Sequence, residues 1–310
     1  MKVAITGATG FVGSHLVERL HREGHTPVIL TRDTARARRI FPKSTYKNVQ
    51  LVAYTPLASG PWQQAIAGCD GIVNLAGAPI AERWTSAHKQ AILDSRKIGT
   101  EKLVEAIAQA APKPPVFVSA SAIGFYSTSD TATFDETSQP VKDDFLSQVC
   151  QAWETAAHGA EKIDGVRLVI PRIGIVLGNG GALGRMLTPF RLFAGGPIGS
   201  GRQWFSWIHV DDLVSLLVKA LTDATMQGIY NATAPNPVRM AQVCEALGNA
   251  LKRPSWLPVP DFVIETLLGD GAIVVLEGQK VLPKQTQTSG FIYRYPTIDQ
   301  ALEAIVAALT

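Results

Sequence analysis

The sequence predicts an α/β fold, a doubly wound parallel sheet carrying a smaller C-terminal substrate-binding region. Three observations predict it. Residues 2–6 alternate as a strand and run straight into Gly7, Gly10 and Gly13, spaced G-x-x-G-x-x-G, before a helical pattern begins. Strand-like and helical segments then alternate through residue 232, which implies right-handed crossovers and a parallel sheet covered on both faces. Past Pro235 the composition changes, and prolines punctuate short helices up to Pro260. The boundaries that follow are 1–176 with 204–233 for a dinucleotide-binding domain, and 177–203 with 234–310 for a smaller substrate and C-terminal domain.

Each glycine of the triplet has a mechanical job. The first lets the chain leave the strand sharply, the second lets backbone amides approach a pyrophosphate, and the third lets the helix pack closely on the strand. The following helix, residues 13–23, aims its positive end and unpaired N–H groups at the phosphates. A tight strand–helix turn without a ligand is the alternative. The position between a strand and a helix, at the start of the chain, favours a Rossmann-type dinucleotide site contacted by Gly7, Thr9, Gly10, Phe11, Val12 and Gly13.

Gly24 stops that helix and residues 26–30 read as the second strand. Its end discriminates between cofactors, because an acidic residue there binds the ribose of NAD and a cation accommodates the 2′-phosphate of NADP. Thr31 and Arg32 stand at that place, so NADP is expected, with Arg32 pairing to the phosphate or stacking on adenine. Asp33, one step late, would serve NAD if it swung back.

Residues 49–54 are the expected third strand, 62–68 a short helix, and 71–77 a fourth strand whose glycine-bearing end passes the cofactor ribose. Residues 86–111 form a long helix that buries Ile92, Ile98, Leu103, Val104 and Ile107 on the sheet. Strands follow at 116–119, at 166–172 continuing to 178, and at 228–232, with a helix over 143–162 between them. Residues 178–201 are glycine-rich without regular periodicity and read as the entry to the smaller region. Residues 205–213 return to the sheet and open a helix through Leu221, and the tail ends in an amphipathic helix over 298–309.

The 310 residues, 46% apolar and 18% charged, describe an ordinary globular protein with a sizeable core. A net charge of +3 and no interleaving of cations with aromatics argue against nucleic acid. Cys69, Cys150 and Cys244 are odd in number and far apart, which fits neither a disulfide framework nor a metal site and points to a reducing, cytoplasmic compartment. His21 and His25 lack a third ligand nearby, so no metal is expected. No apolar run reaches the ~18 residues of a membrane span, and a functional strand beginning at residue 2 leaves no room for a secretory signal.

The series Gly7-x-x-Gly10-x-x-Gly13, Asn74 to Gly77, Ser119-Ala-Ser121, Arg172 to Gly178 and Trp207 to Leu213 resembles the extended and atypical short-chain dehydrogenase/reductases. More narrowly the chain resembles the "epimerase family" branch that carries a C-terminal domain of unassigned function. The features are Ala78 to Ile80, Arg83-Trp84, Asp94 to Arg96, Phe145-Leu146, Trp153-Glu154, Leu282 to Lys284 and Gly290-Phe291. The resemblance implies cofactor contacts from Leu75, Ala76, Gly77, Ser119 and Pro171 as well. It also carries a label from cyanobacterial and plastid relatives, described as cell- or plastid-division proteins.

The reaction that this resemblance implies uses a serine and a tyrosine four residues before a lysine; the lysine lowers the tyrosine pKa, and the tyrosine moves the proton that accompanies hydride transfer. Ser121 matches the serine. Anchoring on Glu154 puts Leu146 at the tyrosine and Cys150 at the lysine, and none of the six tyrosines has lysine four residues on. Two readings follow. Either another group is the acid, Tyr126 from the opposite wall or His209, with Ser121 and Tyr126 as the catalytic candidates. Or the cleft holds NADP in a regulatory or division-linked protein that does little chemistry. The alternative for His209 is to brace the helix start at Asp211-Asp212. Trp204 and Trp207 either line an apolar substrate pocket or bury the returning strand, and Arg96, Arg172, Arg185 and Arg202 suggest an anionic substrate or are surface cations. An unidentified small-molecule substrate, a protein partner or a second copy of the chain are the expected partners.

Overall fold

Alternation along the first strand decides which face of the sheet each side chain takes. Val3 and Ile5 enter one hydrophobic cluster and Ala4 the other. In the computed structural model, which describes residues 1–309, the same rule repeats across the sheet. The chain runs β1 (Lys2–Thr6), α1 (Phe11–Arg22), β2 (Thr26–Thr31), α2 (Thr34–Ile40), β3 (Gln50–Ala53), β4 (Gly71–Asn74), α3 (Ser86–Gln109) and β5 (Val116–Ser119). It continues with β6 (Ser121–Ala122), β7 (Thr133–Phe134), α4 (Phe145–His158), β8 (Arg167–Ile173), β9 (Ile175–Leu177), α5 (Gly181–Arg191), β10 (Trp204–Phe205), β11 (Trp207–His209) and α6 (Val210–Thr222). It closes with β12 (Gly228–Ala232), β13 (Val238–Arg239), α7 (Met240–Leu251), α8 (Asp261–Leu268), α9 (Ile273–Leu276), β14 (Lys280–Val281), α10 (Lys284–Thr288) and α11 (Ile298–Ala307).

The main sheet has the order β12-β8-β5-β4-β1-β2-β3, with β6 beside β8, and every pairing in it is parallel. This is a Rossmann-type sheet. The chain builds outward from β1 to β3, then restarts at β4 on the other side of β1. The switch between β1 and β4 opens a crevice at the carboxyl ends of the strands, where ligands bind in such sheets. Leu16, Val17 and Leu20 of α1 and Leu213, Leu216 and Leu217 of α6 cover one face. Leu103 and Ile107 of α3, with Trp62 and Ile66, cover the other. Among the described residues no helix is long and apolar enough to cross a membrane.

Two expectations change. The glycine-rich stretch after residue 178 contains a helix, α5, despite Gly184 and Pro189 inside it. Tertiary packing overrides weak propensity here, because Leu183, Leu187 and Phe190 fall at helical spacing and bury with Trp207, Val243 and Leu302 in a third core cluster. The segment near Trp207 does not rejoin the main sheet. Its β11 pairs with β9 in a separate two-stranded sheet, while β10 pairs antiparallel with β13. Trp207 is fully buried in the third cluster, and Trp204 carries Arg239 at 3.6 Å on its ring, so neither observation makes an apolar substrate pocket of the pair.

Candidate cofactor and active site

The strand–helix turn is shaped for a close approach. Gly7 has φ +68°, and a Cβ on it would stand 2.7 Å from the Leu75 carbonyl carbon, so β4's extension passes directly against it. A Cβ on Gly13 would strike the Gly7 carbonyl, which holds α1 against β1. Gly10 differs: it is exposed, and a Cβ there would meet only the Gly7 carbonyl oxygen, at 3.2 Å. Gly10 is also the N-cap of α1 and supplies no side-chain cap, leaving the first-turn N–H groups of Phe11, Val12 and Gly13 for an external acceptor. A glycine-lined backbone cradle at a helix N-terminus fits a pyrophosphate.

Neighbouring residues fasten the cradle. Thr6 Oγ1 donates to Asn74 Oδ1 (2.7 Å) and accepts from the amides of Leu75 and Ala76, both at 3.2 Å. Asn74 Nδ2 donates to Thr100 Oγ1 at 2.9 Å and to Ser119 Oγ at 3.3 Å. The Ser119 hydroxyl is thus fully buried beneath the cleft. Phe11 packs its ring against Gly178, Gly180 and Gly181, tying the loop after β9 to α1. Thr9 sits partly exposed at the tip of the turn, Gly77 is exposed at the end of the β4 extension, and Pro171 is buried in β8 opposite Tyr230.

At the end of β2, the Asp33 carboxylate caps α2 by accepting from the Arg36 amide at 2.8 Å. The group that would have to swing back to a ribose is therefore committed to a helix start. Arg32 is exposed and forms no ion pair with any described residue.

Beyond β5 the chain meets α4. A Cβ on Gly124 would lie 3.4 Å from Leu146 Cβ and 3.6 Å from Cys150 Sγ, so the residues at the missing dyad's positions face the 121–126 segment. Burial pushes the Cys150 thiol up to about 12, with Glu154 adding to it, and the sulfur stays a neutral thiol. One turn further, Glu154 accepts from Ser121 Oγ at 2.6 Å and holds Arg172 bidentately, Nε and Nη2 each at 2.8 Å. Arg172 Nη1 donates to Tyr126 Oη (2.9 Å), which donates in turn to Asn231 Oδ1 (2.7 Å). From sequence, Glu154 is a feature of the resemblance and an anchor for the missing dyad, and Arg172 is a feature of the resemblance and either an anion-binding or a surface cation. Their signal is a single acidic residue in α4 and an arginine directly after the apolar run 168–171 of β8.

This geometry changes the picture of Tyr126. From sequence, Tyr126 is either a phenol reaching the substrate from the opposite wall or a rim residue packing under the smaller domain. The 3₁₀ turn Ile123–Tyr126 instead points the ring inward, where it is fully buried against Phe134 with both hydrogen bonds of its hydroxyl taken. Burial pushes its pKa up to about 12. His209 is the N-cap of α6: its Nδ1 accepts from the Asp211 amide at 3.1 Å, and its ring stands 4.0 Å from that of Tyr295.

The cap makes a pH prediction. Burial lowers the His209 pKa from 6.5 to about 4, and protonation would destroy the acceptor that caps α6. A depressed folded-state pKa means the unfolded chain binds the proton first. This contribution to stability is complete above pH 6.5 and is lost as pH falls toward 4, on the order of 3 kcal/mol. His209→Asn keeps a capping oxygen without the titration. Its urea stability should fall less than the native chain's between those two pH values, and parallel curves would refute the assignment.

Several of the residues that carried the narrower resemblance meet at the loop after Gly77. Ser95 Oγ accepts from the Ala78 amide (3.0 Å), Trp84 stands edge-on to Phe145 at 5.1 Å, and Arg185 donates to the Ala81 carbonyl at 3.0 Å. This loop is therefore fastened to α3, to the start of α4 and to α5.

Comparison with known proteins matches this geometry. The model of the NAD dependent epimerase/dehydratase family matches residues 3–233, and that of the Domain of unknown function (DUF1731) matches residues 259–305. A chloroplastic SDR39U1 homolog of Arabidopsis thaliana, described as an epimerase family protein, is 48% identical over 309 residues, covering 99% of this chain and 87% of the relative. The epimerase family protein YfhF of Bacillus subtilis is 39% identical over 307 residues, covering 99% and 98%. The crystal structure of human SDR39U1 (isoform 2) with NADPH superposes with a TM-score of 0.86 at 35% identity, covering 99% of both chains.

Proposed function

This chain belongs to the NAD dependent epimerase/dehydratase family, and from that premise we propose that it is an NADP(H)-dependent oxidoreductase acting on a small alcohol or carbonyl through a rebuilt proton path. The amides of the Gly7–Gly13 turn bind the pyrophosphate, and Arg32 selects the 2′-phosphate. The human relative crystallised with NADPH supports that choice. When bound, the nicotinamide accepts or supplies the hydride. Residues 177–203 and 234–310 shape the substrate end.

One observation carries the catalytic reading: Ser121 Oγ donates to Glu154 at 2.6 Å, at the carboxyl ends of the strands and beyond the cradle. With its proton directed to the carboxylate, the serine oxygen is free to accept from a substrate hydroxyl. The substrate proton passes to Ser121 and the serine proton to Glu154. Arg172 holds both oxygens of that carboxylate, Nε and Nη2 each at 2.8 Å, and so fixes Glu154 in place to receive from Ser121. Tyr126 belongs to the support of this pair. Ser121→Ala should lower turnover by about tenfold or more with NADPH affinity unchanged, read as kcat against cofactor titration. Equal turnover in the variant would remove the reading.

A second reading, an NADP-binding regulatory protein linked to cell or plastid division, is favoured by one observation. Neither Leu146 nor the Cys150 thiol, raised to about 12, exchanges a proton near neutrality. It predicts stabilisation by NADPH and no nicotinamide turnover with any alcohol or carbonyl screened.

A further inference from the structure

The dyad that this chain lacks has two jobs, and Ser121 with Glu154 takes only one of them. The other, which the resemblance implies for the lysine, is to bind the nicotinamide ribose with a fixed positive charge, and the neutral Cys150 thiol carries none. Arg172, the buried cation nearby, is already bound to Glu154 and Tyr126.

Arg96 stands free. It projects from α3 between the β4 extension and α4. A Cβ on Gly77 would lie 2.8 Å from its Cζ and 2.9 Å from its Nη2, so the guanidinium rests on the backbone at the exposed end of that extension. Nη1 donates to the Ala78 carbonyl at 3.1 Å and the Ile92 carbonyl at 3.2 Å, and Cζ stands 5.1 Å from the centroid of Trp153. Nε and Nη2 donate to no described residue, and no described carboxylate pairs with the group. Its charge acts on the Cys150 thiol, lowering a pKa that burial raises. The one unneutralised cation of this wall therefore lies beside the side chain that occupies the lysine position.

We propose that Arg96 replaces that lysine: its Nε and Nη2 bind the hydroxyls of the nicotinamide ribose, fastening the reactive end of NADP(H), while Nη1 stays anchored to the loop. A guanidinium suits the task because its planar donors are held in a fixed fork. The proposal rests on the NADP(H)-binding part of the reading above and is independent of turnover.

Calorimetric titration of the full chain with two ligands tests it. NADPH carries the nicotinamide ribose; 2′,5′-ADP carries the adenine side and its phosphates alone. Arg96→Met should weaken NADPH by roughly tenfold or more and 2′,5′-ADP by less than about twofold, the scale of lost charge-assisted hydrogen bonds. Arg96→Lys should recover most of the loss, as should Cys150→Lys in the Arg96→Met background. Arg96→Gln, which keeps a donor for Ala78 without the charge, should show the same split between ligands. NADPH binding at native strength in Arg96→Met or Arg96→Gln overturns the proposal. So does an equal loss of both ligands, which would make Arg96 a loop clamp. A native chain that takes up neither ligand would instead overturn the NADP(H) reading itself.

Discussion

Replacing Glu154 with leucine should cost this fold roughly 3–5 kcal/mol, the scale for removing one partner of a buried ion pair. Glu154 is 5% exposed and Arg172 is 2% exposed, so water cannot take over when the carboxylate goes. The variant leaves a guanidinium between Phe125, whose ring centroid is 3.4 Å from Cζ, and Tyr126, with two of its donors unmatched. It also deprives Ser121 of its acceptor. Urea denaturation measures the effect as a lower midpoint at an unchanged slope. The double variant Glu154→Leu with Arg172→Met should regain most of the loss, because two apolar side chains replace a pair whose attraction is largely offset by its desolvation. If single and double variants are equally unstable, the cost comes from packing and the pair has no special standing. If Glu154→Leu is as stable as the native chain, the network is not what holds α4 to β8.

What was legible in the sequence follows from what each feature depends on. Gly7 and Gly13 are readable because a left-handed backbone and a close helix contact each exclude a side chain, and the spacing that includes the exposed Gly10 is local. The parallel sheet was readable because alternation in β1 and β8 is a property of consecutive residues. The helix α5 was hidden by its own glycines and proline, which lower local propensity. Only the 183, 187, 190 spacing signalled the tertiary contacts that stabilise it.

The centre of the site was illegible for a different reason. Ser121, Tyr126, Glu154, Arg172 and Asn231 lie on different elements, and only the stacking of β6, α4, β8 and β12 brings them within hydrogen-bond reach. Tyr126 was placed by its nearness to β5, yet the turn that follows, with Ser127 at φ +64°, aims the ring into the core. From sequence, Arg96 is one arginine among several and part of the Asp94–Arg96 feature, with no role attached. Its lack of a counter-ion appears once Gly77 and Trp153 are seen on either side of it.

Changing Arg32 to glutamate should reverse the chain's preference between cofactors, weakening NADPH by about a hundredfold and NADH by no more than about threefold. Arg32 follows β2 directly, exposed and without an ion pair, so it can close on a phosphate without first breaking one. A charge-assisted bond of this kind contributes about 1.5–3 kcal/mol, and a carboxylate in its place adds repulsion toward the 2′-phosphate. NADH, with a hydroxyl there, loses neither and gains an acceptor. Because the site is open to solvent, added salt should narrow the gap by screening the phosphate contact. Fluorescence titration with both nucleotides at low and high salt reads all of these terms. An equal loss of the two would place the 2′-phosphate elsewhere, with the exposed Arg36 of α2 as the next group to change. A selectivity that ignores salt would mean that shape, not charge, distinguishes the two nucleotides at the end of β2.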